Sequence, residues 1–304
     1  MPIRIHSFQP PQYYLAKHYI PVVAEAGPTV LNQLRKLTFN AREKGNRIPL
    51  FRAIEIETHN RCNNDCPFCP ASRLSDKRPF LRMSEPVFSG IADQLRDMGY
   101  SGTVSLYHNN EPLLDERLPF LVREIKEKVV RAKVSIWTNG ILLSYARLKE
   151  LHSNGLARGD SLVIDDYSYT RELSPRIARL LKEIKATNIE NEMDIKVWIR
   201  DKNAILTNRA GRAPNKKGLT GKSFQKYLVM RRWCPLPFTQ FNVNPAGLVH
   251  ICCYDAYYDC VVGDVTKESI PDIWHGSKLN SIRSELNRNG RWNIFPCNVC
   301  DSTV

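Results

Sequence analysis

The sequence predicts an α/β protein: parallel strands with helices packed outside them, followed by a small C-terminal unit made of a β-hairpin and a helix. Three observations predict it. Between residues 49 and 200, five short strand-like runs alternate with four longer amphipathic stretches, the pattern of parallel strands joined by crossover helices, in a barrel or an open sheet. After residue 233 the order changes to two short runs around a turn signal and then a long helical run. The nine cysteines fall into two groups, three at 62–69 and six at 234–300, a division that scattered core thiols do not make.

The elements follow in order. Residues 1–48 read as a short, basic, helical N-terminal extension. TVLNQLRKLTFNAREKG sets Val30, Leu31, Leu34, Leu37 and Phe39 near helical spacing and ends at Gly45. FRAIEIET (51–58) alternates as a strand and leads into the first cysteines. SEPVFSGIADQLRDMG (84–99) is a helix with Ser84 as N-cap, a stripe of Val87, Ile91 and Leu95, and Gly99 as its stop. GTVSLYH (102–108), AKVSIWTNG (132–140), DSLVIDDY (160–167) and EMDIKVWIR (192–200) read as strands. LPFLVREIKEKVV (118–130), LSYARLKELHSNG (143–155) and SPRIARLLKEIKAT (174–187), with Pro175 early, read as helices. Trp137 and Trp198 sit in strand patterns and are expected in the core. Residues 201–233 form a basic, loop-rich connector, and 234–304 a second unit. There, FTQFNVNPAGLVHICC is a hairpin turning on Asn244-Pro245-Ala246-Gly247, IPDIWHGSKLNSIRSELNR a helix, and CNVC the close.

Composition narrows the function. The chain is 42% hydrophobic and 25% charged, ordinary for a globular protein. No apolar run reaches the roughly 18 residues of a membrane span, and MPIRIHSFQPPQYY lacks the apolar core of a secretory signal. A cytoplasmic location is expected, where clustered thiols mean metal or catalysis before disulfides. The net charge of +13 is concentrated in residues 1–52 and 200–232. Two basic patches suggest an anionic small-molecule substrate as well as plain solvated surface. Neither shows the aromatic interleaving of a nucleic-acid reader, so that class of partner is disfavoured, and no membrane partner is expected.

The chemistry is carried by cysteine. Cys62, Cys66 and Cys69 have C-x3-C-x2-C spacing. Three thiolates within eight residues suit one face of an iron–sulfur cubane and leave its fourth iron open; a zinc site borrowing a distant ligand is the alternative. The loop follows the first strand of the array. His108-Asn109-Asn110-Glu111, Thr138-Asn139-Gly140 and Asp165-Asp166 likewise follow strand ends, where α/β folds of this kind keep their chemistry.

With Phe68 before its third cysteine, the motif resembles the signature of the radical S-adenosylmethionine (SAM) superfamily, over about residues 50–200. The resemblance implies a partial (β/α)6 barrel and a [4Fe–4S] cluster whose open iron binds SAM. It also implies reductive cleavage of SAM to a 5′-deoxyadenosyl radical, with an external one-electron donor such as a flavodoxin or ferredoxin. It places Phe68, Asn109, Asn110, Glu111, Thr138, Asn139 and Arg200 around SAM. The family's usual Gly-Gly-Glu-Pro segment is here Asn109-Asn110-Glu111-Pro112, so Glu111 carries over better than the two asparagines.

Cys234, Cys252, Cys297 and Cys300 form a second set, four thiolates that suit structural zinc or a second [4Fe–4S] cluster. C-x12-G-x4-C followed by a late C-x2-C resembles the SPASM/twitch extensions of radical SAM enzymes, here in the shorter, one-cluster twitch form. That resemblance implies an auxiliary cluster. Cys253 falls on the other face of its strand: a buried thiol, or a catalytic hydrogen-atom donor as in radical SAM epimerases. Cys260 is expected to be incidental. Asp165, Asp166 and Tyr167 stand as rim groups or a strand-end turn, and Arg209, like Arg200, as a contact or a solvated cation. The one-cluster pattern most resembles twitch-type aminocyclitol dehydrogenases. It implies hydrogen abstraction from a sugar- or cyclitol-like alcohol and its oxidation, the auxiliary cluster accepting an electron. Epimerisation through Cys253, ribosomal-peptide maturation and a zinc-stapled nucleic-acid-binding protein are the alternatives.

Overall fold

The computed structural model describes residues 3–7, 48–170, 172–187, 189–202, 207–216, 227 and 229–302. A nine-stranded sheet runs through it in the order β1-β6-β5-β4-β3-β2-β7-β8-β9. Its strands are β1 (Arg4–Ser7), β2 (Ala53–Ile56), β3 (Thr103–Ser105), β4 (Lys133–Thr138), β5 (Ser161–Ser168), β6 (Asp194–Asp201), β7 (Gln240–Val243), β8 (Leu248–His250) and β9 (Val261–Asp264). From β1 to β7 every neighbouring pair is parallel; β8 and β9 are antiparallel. The sheet is an open, partial barrel wall rather than a closed barrel.

Crossover helices link the central strands: α1 (Glu85–Asp97), α2 (Leu118–Lys128), α3 (Tyr145–Ser153) and α4 (Pro175–Thr187). Each buries one face. In α1 the buried residues are Phe88, Ile91, Ala92 and Leu95, so Phe88 takes the place expected of Val87. In α4 they are Ile177, Leu180, Leu181 and Ile184. These meet Ile54, Ile56, Val104, Val134, Ile136, Ile164 and Val197 from the strands in one large core. Burying a side chain of this size contributes about 1.5–3 kcal/mol, which is what fixes helices to sheet.

Two strands differ from the sequence expectation. Arg4–Ser7 lies in the region expected to be helical, yet pairs in parallel with Lys196–Ile199. His6 stacks on Trp198 at 4.4 Å. Four residues are too short a run for periodicity to reveal, and the pairing supplies what local pattern lacks. The helix expected over residues 29–45 lies outside the described residues. β9 was not anticipated; it continues the hairpin as a third strand. The C-terminal helix is two helices, α6 (Ile270–Trp274) and α7 (Ser277–Asn289), parted at Gly276. A short helix α5 (Leu236–Thr239) precedes β7.

The hairpin turn forms as the sequence signals. Asn244 Oδ1 accepts from Ala246 N at 2.9 Å and Leu248 N at 3.0 Å. Gly247 adopts φ +83°, where a Cβ would stand 2.8 Å from Thr266 Cγ2, so glycine is required twice over. The hairpin is continuous with the barrel wall: β7 pairs with Ala53–Ile56 of β2 on the side opposite β3.

Candidate active site

The strand ends open into a cavity of about 500 Å³, within the range of small-molecule sites. Cys62, Cys66 and Cys69 line it together with Phe68, Asn109, Asn110, Glu111, Thr138, Asn139, Arg200, Arg209 and Cys253. The structure therefore brings together every residue expected at the first cluster and around SAM. Cys69 N donates to Cys66 O at 3.1 Å, a tight turn that holds the loop. Burial pushes the Cys62 thiol up to about 12 and drives Cys66 upward too, each reinforced by its neighbouring thiols. Deprotonated thiols crowded in this way need a cation, which a cluster supplies.

Glu111 is 1% exposed and receives three donors. Thr138 Oγ1 donates to Oε1 at 2.6 Å, Leu113 N to Oε1 at 3.1 Å and Asn139 N to Oε2 at 2.7 Å. Burial pushes its carboxyl up to about 7, against the pull of these bonds. Asn139 Nδ2 reaches Asn63 Oδ1 at 2.8 Å and faces Cys62 Sγ at 3.7 Å. One residue pair thus ties the end of β4 to the cysteine loop. Asn109 Oδ1 and Asn110 Nδ2 are buried without a partner among the described residues. An orphan acceptor and an orphan donor on the wall fit a ligand such as SAM, rich in both.

The rim aspartates part company, as strand alternation requires. Asp165 and Tyr167 line the cavity, and Arg200 Nε donates to Asp165 Oδ1 at 2.9 Å. Asp166 turns away and accepts from Ser174 N at 2.7 Å, a loop anchor. Trp137 is not core: it lines the cavity and stacks on Tyr107 at 5.6 Å. Trp198 is half-buried between His6 and Arg200. Cys260 packs against both apolar clusters rather than lining the cavity.

The basic connector is partly neutralised. Lys202 pairs with Asp65 at 2.7 Å, Arg212 with Asp259 at 2.7 Å, and Lys216 with Asp301. These pairs weaken the case for an anionic substrate.

Glu55 escaped sequence reasoning. It lines the cavity with its side chain 8% exposed, and His108 Nδ1 stands 2.7 Å from Oε2. Gln240 Nε2 donates to Oε1 at 3.3 Å. Burial pushes Glu55 up to about 7. The signal was there: FRAIEIET puts Glu55 and Glu57 on one face of a strand whose other face is Ile54 and Ile56, and strands of parallel sheets are covered on both faces.

Cys234, Cys252, Cys297 and Cys300 are all buried, and the first three share a second apolar cluster. Burial raises the Cys252 thiol, with Cys253, then Cys297, Cys234 and Cys300, adding to the rise. Beside them Arg291 is 1% exposed, with Nε and Nη2 unpartnered among the described residues. Four thiols within reach of a buried guanidinium's charge suit an anionic thiolate cluster. Among the described residues, no three His, Cys, Asp or Glu side chains stand close enough to hold a single ion; a cubane, whose thiolates bind different irons, asks for a wider set. No helix among the described residues is long and apolar enough to cross a membrane.

Comparison with known proteins agrees with this geometry. The Radical SAM superfamily model matches residues 56–193, and the SPASM iron–sulfur cluster-binding domain matches residues 234–301. An S-adenosyl-L-methionine-dependent 2-deoxy-scyllo-inosamine dehydrogenase of Niallia circulans is 25% identical over 83% of this chain and 94% of its own. The crystal structure of BtrN in complex with AdoMet and 2-DOIA is similar with TM-score 0.69 at 24% identity, covering 84% of this chain and 95% of that one. Native anSMEcpe with bound AdoMet is similar with TM-score 0.53 at 13% identity, covering 82% and 88%. The last two are likenesses of fold.

Proposed function

A radical SAM domain joined to a SPASM iron–sulfur domain makes this chain a radical SAM oxidoreductase with SAM and [4Fe–4S] cofactors, and on that premise we propose that it oxidises a secondary alcohol of a sugar- or cyclitol-like substrate to a ketone. One observation carries the proposal. A single cavity is lined at once by the Cys62–Cys69 loop and by Cys253 and Tyr254, which directly follow the auxiliary ligand Cys252. A substrate there stands between the two cysteine sets, and the resemblance to an inosamine dehydrogenase supports the substrate class.

When bound, SAM with its cluster supplies the radical that removes a carbon-bound hydrogen, and the auxiliary cluster takes up one electron. The protein does the rest. Glu111, Asn109, Asn110, Thr138 and Asn139 would hold SAM, and Cys62, Cys66 and Cys69 its cluster. Phe68, Tyr107, Trp137 and Tyr167 form aromatic walls that exclude water from a radical and suit the C–H face of a sugar ring. Loss of two hydrogens from an alcohol also releases a proton from oxygen. Glu55 is placed to accept it: a wall carboxylate poised near neutrality, steadied by His108 and Gln240. The reading calls for an external one-electron donor of the flavodoxin or ferredoxin kind and for a reducing, cytoplasmic setting.

Epimerisation is the second reading, favoured by one observation, that Cys253 lines the cavity. Product mass analysis with candidate sugars and cyclitols in deuterated solvent separates the two. A product two hydrogens lighter is expected. One solvent-derived deuterium on carbon, with no hydrogen lost, replaces oxidation by epimerisation through Cys253.

A further inference from the structure

The auxiliary site contains a cation that the proposed reaction does not yet use. Arg291 N donates to Met230 O at 2.8 Å, and its Nη1 donates to Ser302 O at 2.8 Å. These bonds fix it between the segment leading to Cys234 and the residue two beyond Cys300. Gly290 packs so closely there that a Cβ would meet Met230 O at 2.4 Å, so the backbone carrying Arg291 has no room to shift. The guanidinium keeps Nε and Nη2 without an acceptor among the described residues. Its charge acts on Cys234, Cys300, Cys297 and Cys252, all four members of the set.

A buried cation with two spare donors is costly unless an anion meets it. Thiolate and sulfide sulfurs are acceptors, and a cubane on four thiolates carries excess negative charge. Reduction adds one more negative charge, so a fixed cation and its hydrogen bonds stabilise the reduced form more than the oxidised one. We infer that Arg291 donates through Nε and Nη2 to sulfurs of the auxiliary cluster and holds its reduction potential up, making it a better electron acceptor. Arg291 is a positioning residue that acts through the cluster rather than on substrate. The inference rests on the four cysteines holding an iron–sulfur cluster, and not on which alcohol is oxidised.

The test uses the full chain with Cys62→Ala, Cys66→Ala and Cys69→Ala, so that the auxiliary cluster is observed alone. In protein labelled with ¹⁵N-arginine and reduced, pulsed EPR is expected to show a weak ¹⁵N coupling that disappears in R291K. An EPR-monitored redox titration of R291Q is expected to place the midpoint lower by about 59 mV, a tenfold shift in the one-electron equilibrium. No ¹⁵N coupling in the labelled parent overturns the inference, even where R291Q fails to take up a cluster. An unchanged midpoint in iron-replete R291Q overturns it too. A triple variant that binds zinc and no iron overturns the cluster reading itself, and the inference with it.

Discussion

Replacing Glu111 by glutamine tests the SAM end of the cavity. Three donors converge on its two oxygens: Thr138 and Leu113 on Oε1, Asn139 on Oε2. A glutamine can keep its oxygen toward the first two, but must then turn NH₂ toward the Asn139 N–H. It also removes the negative charge that, in the proposed SAM site, would face SAM's ammonium. A hydrogen bond to a charged group is worth about 1.5–3 kcal/mol. Loss of the ammonium contact alone should weaken SAM binding about 10- to 100-fold, at about 1.4 kcal/mol per decade. The assay is equilibrium binding of SAM to anaerobically reconstituted E111Q, with iron content confirming the cluster. A dissociation constant within about twofold of the parent, under 0.5 kcal/mol, would show that Glu111 does not face the ammonium.

Two further outcomes are expected. With Glu55 raised to about 7, turnover should rise with pH through that value as the accepting carboxylate forms; E55Q should lose the limb and fall about 100-fold, and an unaltered pH profile for E55Q removes it as proton acceptor. Arg78 binds Asp76 at 2.9 Å, Tyr258 at 2.7 Å, Asn109 O at 3.2 Å and Glu57 at 3.5 Å; R78M strands the buried carboxyls and should cost about 3–5 kcal/mol. Because burial already raises Glu57 to about 7 and losing Arg78 raises it further, the native state holds its proton where the unfolded chain has lost one. The deficit of R78M against the parent should therefore be larger at pH 8 than at pH 5, opening as pH passes about 7, and an equal difference between the two proteins' denaturation midpoints at both pH values would contradict it.

Much of this was legible because it is written in local spacing. Cys62, Cys66 and Cys69, the five strands between 51 and 201, and the Gly247 turn are all stated by neighbours within a few residues. What stayed hidden depends on pairing at long range. Arg4–Ser7 becomes a strand only because β6 offers an edge. Glu55 gains meaning from His108, 53 residues on, and Trp137 from the cavity it borders. Arg291 looks like any helix-end arginine until the fold brings its charge to bear on four cysteines from three segments. Asp165, Asp166 and Tyr167 left two readings open in the sequence, and strand alternation divides them: Asp165 and Tyr167 line the cavity, while Asp166 anchors the turn that follows.

β2 is the strand that both cysteine-bearing parts share, paired to β3 on one side and β7 on the other. The C-terminal unit is therefore not a detachable module. Cutting the chain before residue 234 would bare the edge of a strand whose residues Ile54 to Ile56 are all buried, an invitation to edge-to-edge aggregation. Grafting this C-terminal unit onto another barrel would have to match the register Ala53 to Gln240 as well as the cysteines. The same shared strand sets the separation of the two redox centres through backbone hydrogen bonds rather than a linker. Electron-transfer rates between them should thus be insensitive to solvent viscosity, as expected of a fixed gap rather than a hinge.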